Sequence, residues 1–244
     1  MRHVVALSGG KDSCAMALRL KELHPNNAYE FICTPTGNEL PEVIEHWLKI
    51  GKMLGTPILP ITSGTSLQGR IRKYNTLPSW RMRWCTRELK IKPFQAYLAK
   101  SAPVTSYVGI RYDEIGDRED AQIDGVINRY PLVEWEWGIA EVKGYLHEKG
   151  VTIPKRTDCA MCFYQRLGEW WLLWKDHPDE YREAVYYEEL TGHTLRSDDR
   201  DSWPASLSDM ALEFEKGRTP KGADQMTFEL GVDSRKAMCS FCAR

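Results

Sequence analysis

The stretch Ser8-Gly-Gly-Lys-Asp-Ser13 decides how this chain is expected to fold. It follows an apolar run at residues 3–7 that predicts a buried strand, and it precedes residues 14–20, whose apolar side chains recur at helical spacing. In a strand, glycine turn and helix of this order, successive backbone N–H groups and the helix dipole point at one anion. The stretch therefore predicts a phosphate-binding loop, the alternative being a turn that only links the two elements.

Two better-known phosphate loops do not fit this spacing. A Walker A loop needs a glycine where Val5 stands, and Ser or Thr directly after the lysine, where Asp12 stands. A dinucleotide-binding loop needs Gly-x-Gly-x-x-Gly, which this stretch lacks. The paired glycines instead let the backbone approach an anion closely, and Lys11 adds a positive charge.

Length and composition indicate an ordinary globular protein. The chain has 244 residues, of which 42% are hydrophobic and 27% charged, and its net charge of -1 says nothing about a nucleic-acid partner. No apolar run approaches the ~20 residues that span a bilayer, so we expect a soluble, cytoplasmic protein without a membrane partner. The sequence does not set the oligomeric state, and a homodimer is compatible with it.

Strands and helices alternate along the first 150 residues. Four further strands are predicted, at residues 29–33, 57–61, 104–110 and 128–133. This alternation predicts a doubly wound α/β fold with a mostly parallel sheet, whose ligand crevice lies at the carboxyl ends of the strands. After residue 150 the alternation stops. We therefore expect a nucleotide-binding domain at residues 1–150 and a largely helical, cysteine-bearing C-terminal region at residues 151–244.

Four of the seven cysteines form two Cys-x-x-Cys pairs, Cys159 with Cys162 and Cys239 with Cys242. Seven cysteines in a reducing compartment favour metal, cluster or thiol chemistry over disulfides. Thiolates at this spacing suit either a 4Fe-4S cluster or zinc, and their number alone does not choose between the two.

Residues 69–92 hold eight basic residues and one acidic residue, with Trp80 and Trp84 among them. Guanidinium groups pair with phosphate and indole rings stack on bases, so this composition suits a phosphate-rich partner such as tRNA or DNA. A solvated helical face is the alternative interpretation.

Other features are expected to be structural. The histidines, His46 among them, show no ligand spacing, which favours surface or capping roles. Cys14 and Cys33 belong to no pattern and are expected to be small buried hydrophobic side chains. The three tryptophans within residues 165–175 favour a packing stripe over the cysteine site.

Five segments resemble, in order, those of the phosphoadenosine phosphosulfate (PAPS) reductase family of the PP-loop adenine-nucleotide alpha-hydrolase superfamily. They are residues 8–13, 36–42 (Thr-Gly-Asn-Glu-Leu-Pro-Glu), 84–93 (Trp-Cys-Thr-Arg-Glu-Leu-Lys-Ile-Lys-Pro), 109–114 (Gly-Ile-Arg-Tyr-Asp-Glu) and 130–135 (Tyr-Pro-Leu-Val-Glu-Trp). The match spans residues 3–165 and looks most like phage and bacterial members of the family. The resemblance implies an enzyme that acts between the α and β phosphates of ATP.

The resemblance also implies a nucleotide site. The phosphates of ATP, or the phosphosulfate of PAPS, would be held by Ser8, Gly9, Gly10, Lys11, Asp12 and Ser13, with catalysis assigned to the last three. Thr34 and Thr36 would border the adenosine, and Gly109 and Arg111 would close the pocket. An ionised carboxylate only accepts hydrogen bonds, so Asp12 is assigned to a Mg²⁺ ion or to orienting the loop.

Two charged groups beyond this set receive roles as well. Asp113 and Glu114 are interpreted as acceptors for nearby arginines, and Arg118 is expected to reach a phosphate.

The cysteines take roles by the same resemblance. In cluster-bearing members, one cysteine before an Arg/Lys-rich helix and a later Cys-x-x-Cys pair are ligands, which implies Cys85, Cys159 and Cys162 here. Cys239 or Cys242 would supply a fourth ligand to a 4Fe-4S cluster. A zinc site made from the two Cys-x-x-Cys pairs, without Cys85, is the alternative.

Two departures from the family bear on the reaction. The C-terminal Glu-Cys-Gly-Leu-His segment of the assimilatory reductases is absent, and Trp84 stands where cluster-bearing reductases have a second cysteine. The resemblance therefore favours an enzyme that cleaves ATP, adenylates an acceptor such as tRNA or DNA, and transfers sulfur. The alternatives are a reductase of PAPS or a related sulfonucleotide that uses a C-terminal cysteine, and a non-catalytic nucleotide-binding module stabilised by zinc.

Overall fold

Five strands form one sheet in a computed structural model that describes residues 1–114, 122–197 and 201–223. They are β1 (Arg2–Ala6), β2 (Tyr29–Cys33), β3 (Ile58–Pro60), β4 (Val104–Tyr107) and β5 (Val126–Arg129). The sheet order is β3-β2-β1-β4-β5, and every neighbouring pair is parallel. The order reverses beside β1, so the carboxyl ends of β1 and β4 border the crevice where such sheets bind ligands.

Both faces of the central strand are buried. Val5 of β1 belongs to an apolar cluster with helices on one face of the sheet, and the neighbouring Val4 belongs to a second cluster on the other face. Alternate side chains of a strand point to opposite faces, so a continuous apolar run such as residues 3–7 fits a strand covered on both sides. The predicted doubly wound α/β fold is confirmed.

Nine α-helices connect and cover the strands in the described part of the chain. They are α1 (Lys11–Leu23), α2 (Pro41–Leu54), α3 (Leu67–Tyr74), α4 (Lys92–Ser101), α5 (Pro131–Glu134), α6 (Ile139–Glu148), α7 (Leu167–Asp176), α8 (Pro178–Thr191) and α9 (Leu207–Glu215). Proline occupies the first turn of α2, α4, α5 and α8, where its missing N–H has no intrahelical partner to lose. A π-helical turn, Thr86–Ile91, leads directly into α4.

The strand predicted at residues 128–133 is wrong in its second half. The strand ends at Arg129, and Pro131–Glu134 forms the short helix α5, closed by a hydrogen bond of 2.8 Å from the Trp135 N–H to the Pro131 carbonyl. Pro131 has the fixed φ of a helix start, which favours a helix over the continuation of the predicted strand. The strand predicted at residues 104–110 likewise ends early, at Tyr107.

The helices that follow residue 150 share a core with the elements that follow β2. Trp170 of α7 is fully buried in a cluster with Val43 of α2 and Ile71 of α3, and Cys159 belongs to the same cluster. The packing role expected for the tryptophans of this helix is confirmed for Trp170.

The domain boundary at residue 150 stays a prediction. Within the described ranges, no helix combines the length and apolar character needed to cross a bilayer.

Glu188 of α8 carries the first pH-dependent prediction. Its carboxylate accepts hydrogen bonds from the backbone N–H groups of Leu195 (2.8 Å) and Leu207 (2.7 Å), and so ties α8 to the start of α9. Burial raises the pKa of Glu188 to about 7, although these two hydrogen bonds and Arg196 act in the opposite direction.

We expect Glu188 to stabilise the fold most at low pH. Its pKa in the folded protein, about 7, lies above its ordinary value of 4.5, so the folded protein binds the proton more tightly than the unfolded chain. The free energy of unfolding should therefore fall between pH 4.5 and 7, by at most about 3 kcal/mol. Urea unfolding of the wild type and of Glu188→Gln across this range measures the effect. Parallel pH curves for the two proteins would contradict the prediction.

Candidate functional site

The loop between β1 and α1 has a backbone shape that only glycine adopts without strain. Gly9 has a φ of +89°, and a Cβ at this position would lie 2.5 Å from Nε1 of Trp47. Both the left-handed backbone and the lack of space exclude a side chain here. The loop lies at the carboxyl end of β1, beside the point where the strand order reverses.

Hydroxyl groups brace the loop from within. Oγ of Ser8 lies 3.1 Å from Oγ of Ser13, and the Ser13 hydroxyl donates to the Gly10 carbonyl at 3.0 Å. Gly10 precedes α1 and has no side chain to cap its first N–H groups, so they are available to an anion. The hydroxyl of Thr157, from the helical region, lies 3.7 Å from where a Cβ on Gly10 would be.

Two residues of α2 support the loop from behind, and sequence reasoning did not identify them. Nε1 of Trp47 donates to the Ser8 carbonyl at 3.0 Å, and Nε2 of His46 lies 3.5 Å from Sγ of Cys14. His46 is buried, so its expected surface role is wrong; burial lowers its pKa, and a hydrogen bond to the Gly9 backbone opposes that shift. The available signal was the helical spacing that places His46 on the buried face of α2.

The side chain of Arg111 is buried against Asp12 and is not exposed to solvent. Its guanidinium is fully buried and pairs with three carboxylates, those of Asp12 (3.0 Å), Asp113 (2.8 Å) and Glu114 (2.8 Å). Burial alone would lower the pKa of Arg111, but the carboxylates outweigh it and the net shift is upward. The predicted acceptor roles of Asp113 and Glu114 are confirmed. Arg111 therefore orients the loop through Asp12.

Asp12 has one carboxylate oxygen held and one without a partner. Oδ2 meets Arg111 at 3.0 Å and lies 3.6 Å from Nζ of Lys11. Oδ1 is buried and has no hydrogen-bond partner among the described residues. A buried carboxylate oxygen without a donor is a fitting ligand for a hard cation such as Mg²⁺.

The segment after β4 packs directly against the start of α1. A Cβ on Gly109 would lie 3.1 Å from both the backbone N and the Cα of Ser13, so glycine permits this close approach. Thr34 and Thr36 follow the neighbouring strand β2 and are buried. The backbone N–H and the hydroxyl of Thr36 both donate to Oε1 of Glu39, at 2.6 and 2.7 Å. The side chain of Thr36 is therefore engaged within its own turn.

The first Cys-x-x-Cys pair is attached to the loop that follows β2. Glu39 and Cys159 form an isolated antiparallel bridge, and the Ala160 N–H donates to the Asn38 carbonyl at 2.7 Å. The side chain of Asn38 accepts a second bond, of 2.8 Å, from the Met161 N–H. The helical region thus presents its cysteines at the same edge of the sheet as the phosphate loop.

Three cysteines act electrostatically on Lys90, whose side chain is partly buried. Cys85 and Cys162 pack against the apolar cluster that contains Cys159. A mutual hydrogen bond lowers the pKa of Cys159 and raises that of Cys162. Burial opposes the charged form of Lys90, but the three thiols raise its pKa overall. In the part of the chain that the structure describes, no three His, Cys, Asp or Glu side chains form a group that could hold a metal ion.

Three residues assigned from the sequence, Arg118, Cys239 and Cys242, lie outside the described residues. The remaining assignments converge on one edge of the sheet. The roles of Cys14 and Cys33 as buried hydrophobic side chains are confirmed.

Comparisons with known proteins agree with this architecture. A family model described as the phosphoadenosine phosphosulfate reductase domain matches residues 2–172. No curated protein matches the chain. The PAPS reductase from Candida auris, solved as a phosphate complex, is 16% identical with a TM-score of 0.50, and the alignment covers 64% of this chain and 76% of that chain.

Two further solved structures are similar to a lesser degree. The tRNA thiolase NcsA from Methanococcus maripaludis, with its 4Fe-4S cluster, is 19% identical with a TM-score of 0.48, over 84% of this chain and 77% of that chain. A predicted subunit of tRNA methyltransferase from Methanocaldococcus jannaschii is 18% identical with a TM-score of 0.36, over 62% and 90%. Because the family model matches most of the sequence, the chain belongs to the phosphoadenosine phosphosulfate reductase domain family.

Proposed function

We propose that this protein is an ATP-dependent enzyme that cleaves the bond between the α and β phosphates. An acceptor oxygen attacks the α-phosphorus, the bond to the bridging oxygen breaks, and pyrophosphate leaves with the electron pair. The acceptor is adenylated and its proton passes to solvent. Such a reaction depends mainly on positioning and on neutralising the departing charge.

The observation that carries this proposal is the loop itself. The N–H groups at the start of α1 have no side-chain cap, and they lie with Lys11 directly after the carboxyl end of β1, where an anion would be bound. Lys11 would neutralise charge on the leaving pyrophosphate, and the Ser13 hydroxyl would keep the loop in register through the Gly10 carbonyl. Asp12, oriented by Arg111, would hold Mg²⁺ through Oδ1.

We extend the proposal to the cysteines. Cys85, Cys159 and Cys162 belong to or pack against one buried cluster, and the cationic Lys90 favours the thiolate forms of Cys85 and Cys159. These three thiols do not by themselves form a group that could hold a metal ion in the described part of the chain, so a soft metal centre would need further ligands, for which Cys239 and Cys242 are the candidates. A bound 4Fe-4S cluster would supply sulfur or electrons to the activated atom, whereas zinc would only hold the helical region in place. The adenosine would lie beside the ends of β1 and β4, bordered by Thr34 and Gly109.

Membership of the family favours a second candidate, reduction of PAPS or a related sulfonucleotide. The same loop would hold the phosphosulfate. A C-terminal cysteine would be the nucleophile, and Cys239 and Cys242 are the available ones.

One pair of assays separates the two reactions. Anaerobically purified protein is incubated with ATP and Mg²⁺, and separately with PAPS and a dithiol reductant. With water attacking in place of the acceptor, pyrophosphate and AMP from ATP, without sulfite from PAPS, are the expected result, together with iron and sulfide on elemental analysis. Sulfite release that is lost in Cys239→Ser or Cys242→Ser would replace the first function by the second. Binding of ATP without either turnover would contradict both.

A further inference from the structure

Three solvent-exposed aromatic rings near the cysteines each carry a cationic side chain over one face. Cζ of Arg81 lies 4.7 Å from the ring centroid of Trp80, and Arg83 lies 5.5 Å from that of Tyr164. The third ring is Tyr74, with Arg70 at 5.9 Å. We call these three rings and their arginines the arginine-aromatic surface.

The three rings belong to or contact one stretch of chain, residues 79–84. The ring of Tyr74 meets that of Trp84 edge to face at 5.6 Å, and Trp84 directly follows Arg83, which covers Tyr164. Trp80 belongs to the same stretch, because a tight turn joins Ser79 to Met82 through two backbone hydrogen bonds. Each ring is therefore held by the same short segment of the chain.

The exposure of Trp80 has no explanation in packing. The residue is 63% exposed and its neighbour Met82 is 51% exposed, whereas Trp84 in the same stretch is buried. Adjacent large apolar side chains left in water are typical of interaction sites. The exposed pair Trp80 and Met82 therefore makes this stretch a candidate interaction site.

The positive charge of the surface indicates a negatively charged partner. Residues 69–92 hold eight basic residues and a single acidic one, Glu88, in a chain of net charge -1. Glu88 is already engaged, since it accepts from the Tyr74 hydroxyl at 2.7 Å and pairs with Arg70 at 3.3 Å and with Arg87 at 3.7 Å. Arg81 is exposed, and the side chain of Arg87 is 65% exposed. Exposed cations beside exposed rings suit phosphates alternating with unstacked bases.

The position of the surface links it to the candidate chemistry. Cys85 follows Arg83 and Trp84, while Tyr164 stacks on Phe163 with ring centroids 4.3 Å apart, two residues after Cys162. A single-stranded nucleic acid lying on these rings would pass beside Cys85 and Cys162. We infer that the arginine-aromatic surface binds single-stranded nucleic acid, and that this nucleic acid carries the acceptor, the latter part resting on the function proposed above.

Fluorescence anisotropy with a labelled single strand of about 12 nucleotides, as RNA and as DNA, tests the inference. Trp80→Ala should weaken binding about tenfold, because stacking on one base contributes roughly 1–3 kcal/mol. Arg81→Ala and Arg87→Ala should each lower the slope of log affinity against log salt by about 0.7. The matched controls, Tyr186→Ala and Arg182→Ala, alter an exposed ring and an exposed arginine of α8 and should leave binding unchanged.

Three results would overturn the inference. They are no binding of either strand by the wild type at about 100 µM protein, equal affinity for a duplex with no effect of Trp80→Ala, and equally effective competition by polyglutamate at matched charge. ATP turnover, measured as pyrophosphate release by the same variants, separates the two proposals. If the wild type turns over ATP but binds no nucleic acid, only the inference about the arginine-aromatic surface is refuted. If it binds nucleic acid but does not turn over ATP, only the proposed reaction is refuted.

Discussion

Replacing Lys11 with alanine should reduce the rate of pyrophosphate release from ATP by about 100- to 1,000-fold. Lys11 is the first residue of α1, and its amine lies 3.6 Å from Oδ2 of Asp12, within the loop proposed to hold the phosphates. Negative charge develops on the bridging oxygen of the leaving pyrophosphate as its bond to the α-phosphorus breaks. The variant would lack the mobile cation that neutralises this charge. Initial rates with a coupled pyrophosphate assay measure the effect.

Lys21 on the same helix provides the matched control. It lies in the last turn of α1, where its amine donates to the Pro25 carbonyl at 2.9 Å. Lys21→Ala should therefore keep the wild-type rate, and both variants should keep the wild-type Tm. If Lys11→Ala lowers the rate less than about threefold, Lys11 does not stabilise the transition state.

Replacing Arg111 with methionine should lower the free energy of unfolding by about 3–5 kcal/mol. The side chain of Arg111 is fully buried, and those of Asp12 and Glu114 are only 13% and 12% exposed, so the variant would bury carboxylates without a counter-charge. Asp12 would also lose the bond that orients it. We therefore expect weaker nucleotide binding as well as lower stability, measured by urea unfolding and by calorimetric titration with ATP.

Arg129→Met is the comparison for this variant. Arg129 pairs with Glu134 at the edge strand β5, where its side chain is 50% exposed, and such pairs contribute at most about 1 kcal/mol. Arg111→Lys keeps the charge but not the fork that reaches three carboxylates, so its stability should be intermediate. Equal stability of Arg111→Met and Arg129→Met would show that the buried pairings contribute little.

Local signals were sufficient for the elements that build the site. The apolar run, the paired glycines and the following helical pattern predict β1, the loop and α1 in their observed order. The alternation of strands and helices likewise predicts the parallel sheet. These features depend on the steric and hydrophobic preferences of contiguous residues, which a sequence displays directly.

Conflicting local signals were harder to interpret. Tyr130 and Val133 are residue types common in strands, but Pro131 lies between them and favours a helix start. His46 has an ordinary polar side chain, and only its position on α2 shows that it is buried. In both cases the information was in the sequence but two preferences pointed to different structures.

The pairings inside the site were decided by the tertiary structure alone. Arg111 reaches Asp12 across 99 positions of sequence, and Asn38 reaches Met161 across 123. The sequence shows the charge and length of each side chain, but which group it meets depends on the order of the strands. Because β1 and β4 are neighbours, their carboxyl ends bring Asp12 and Arg111 together. The sequence thus determined the loop and its flanking elements, and the strand order decided that Arg111 supports Asp12.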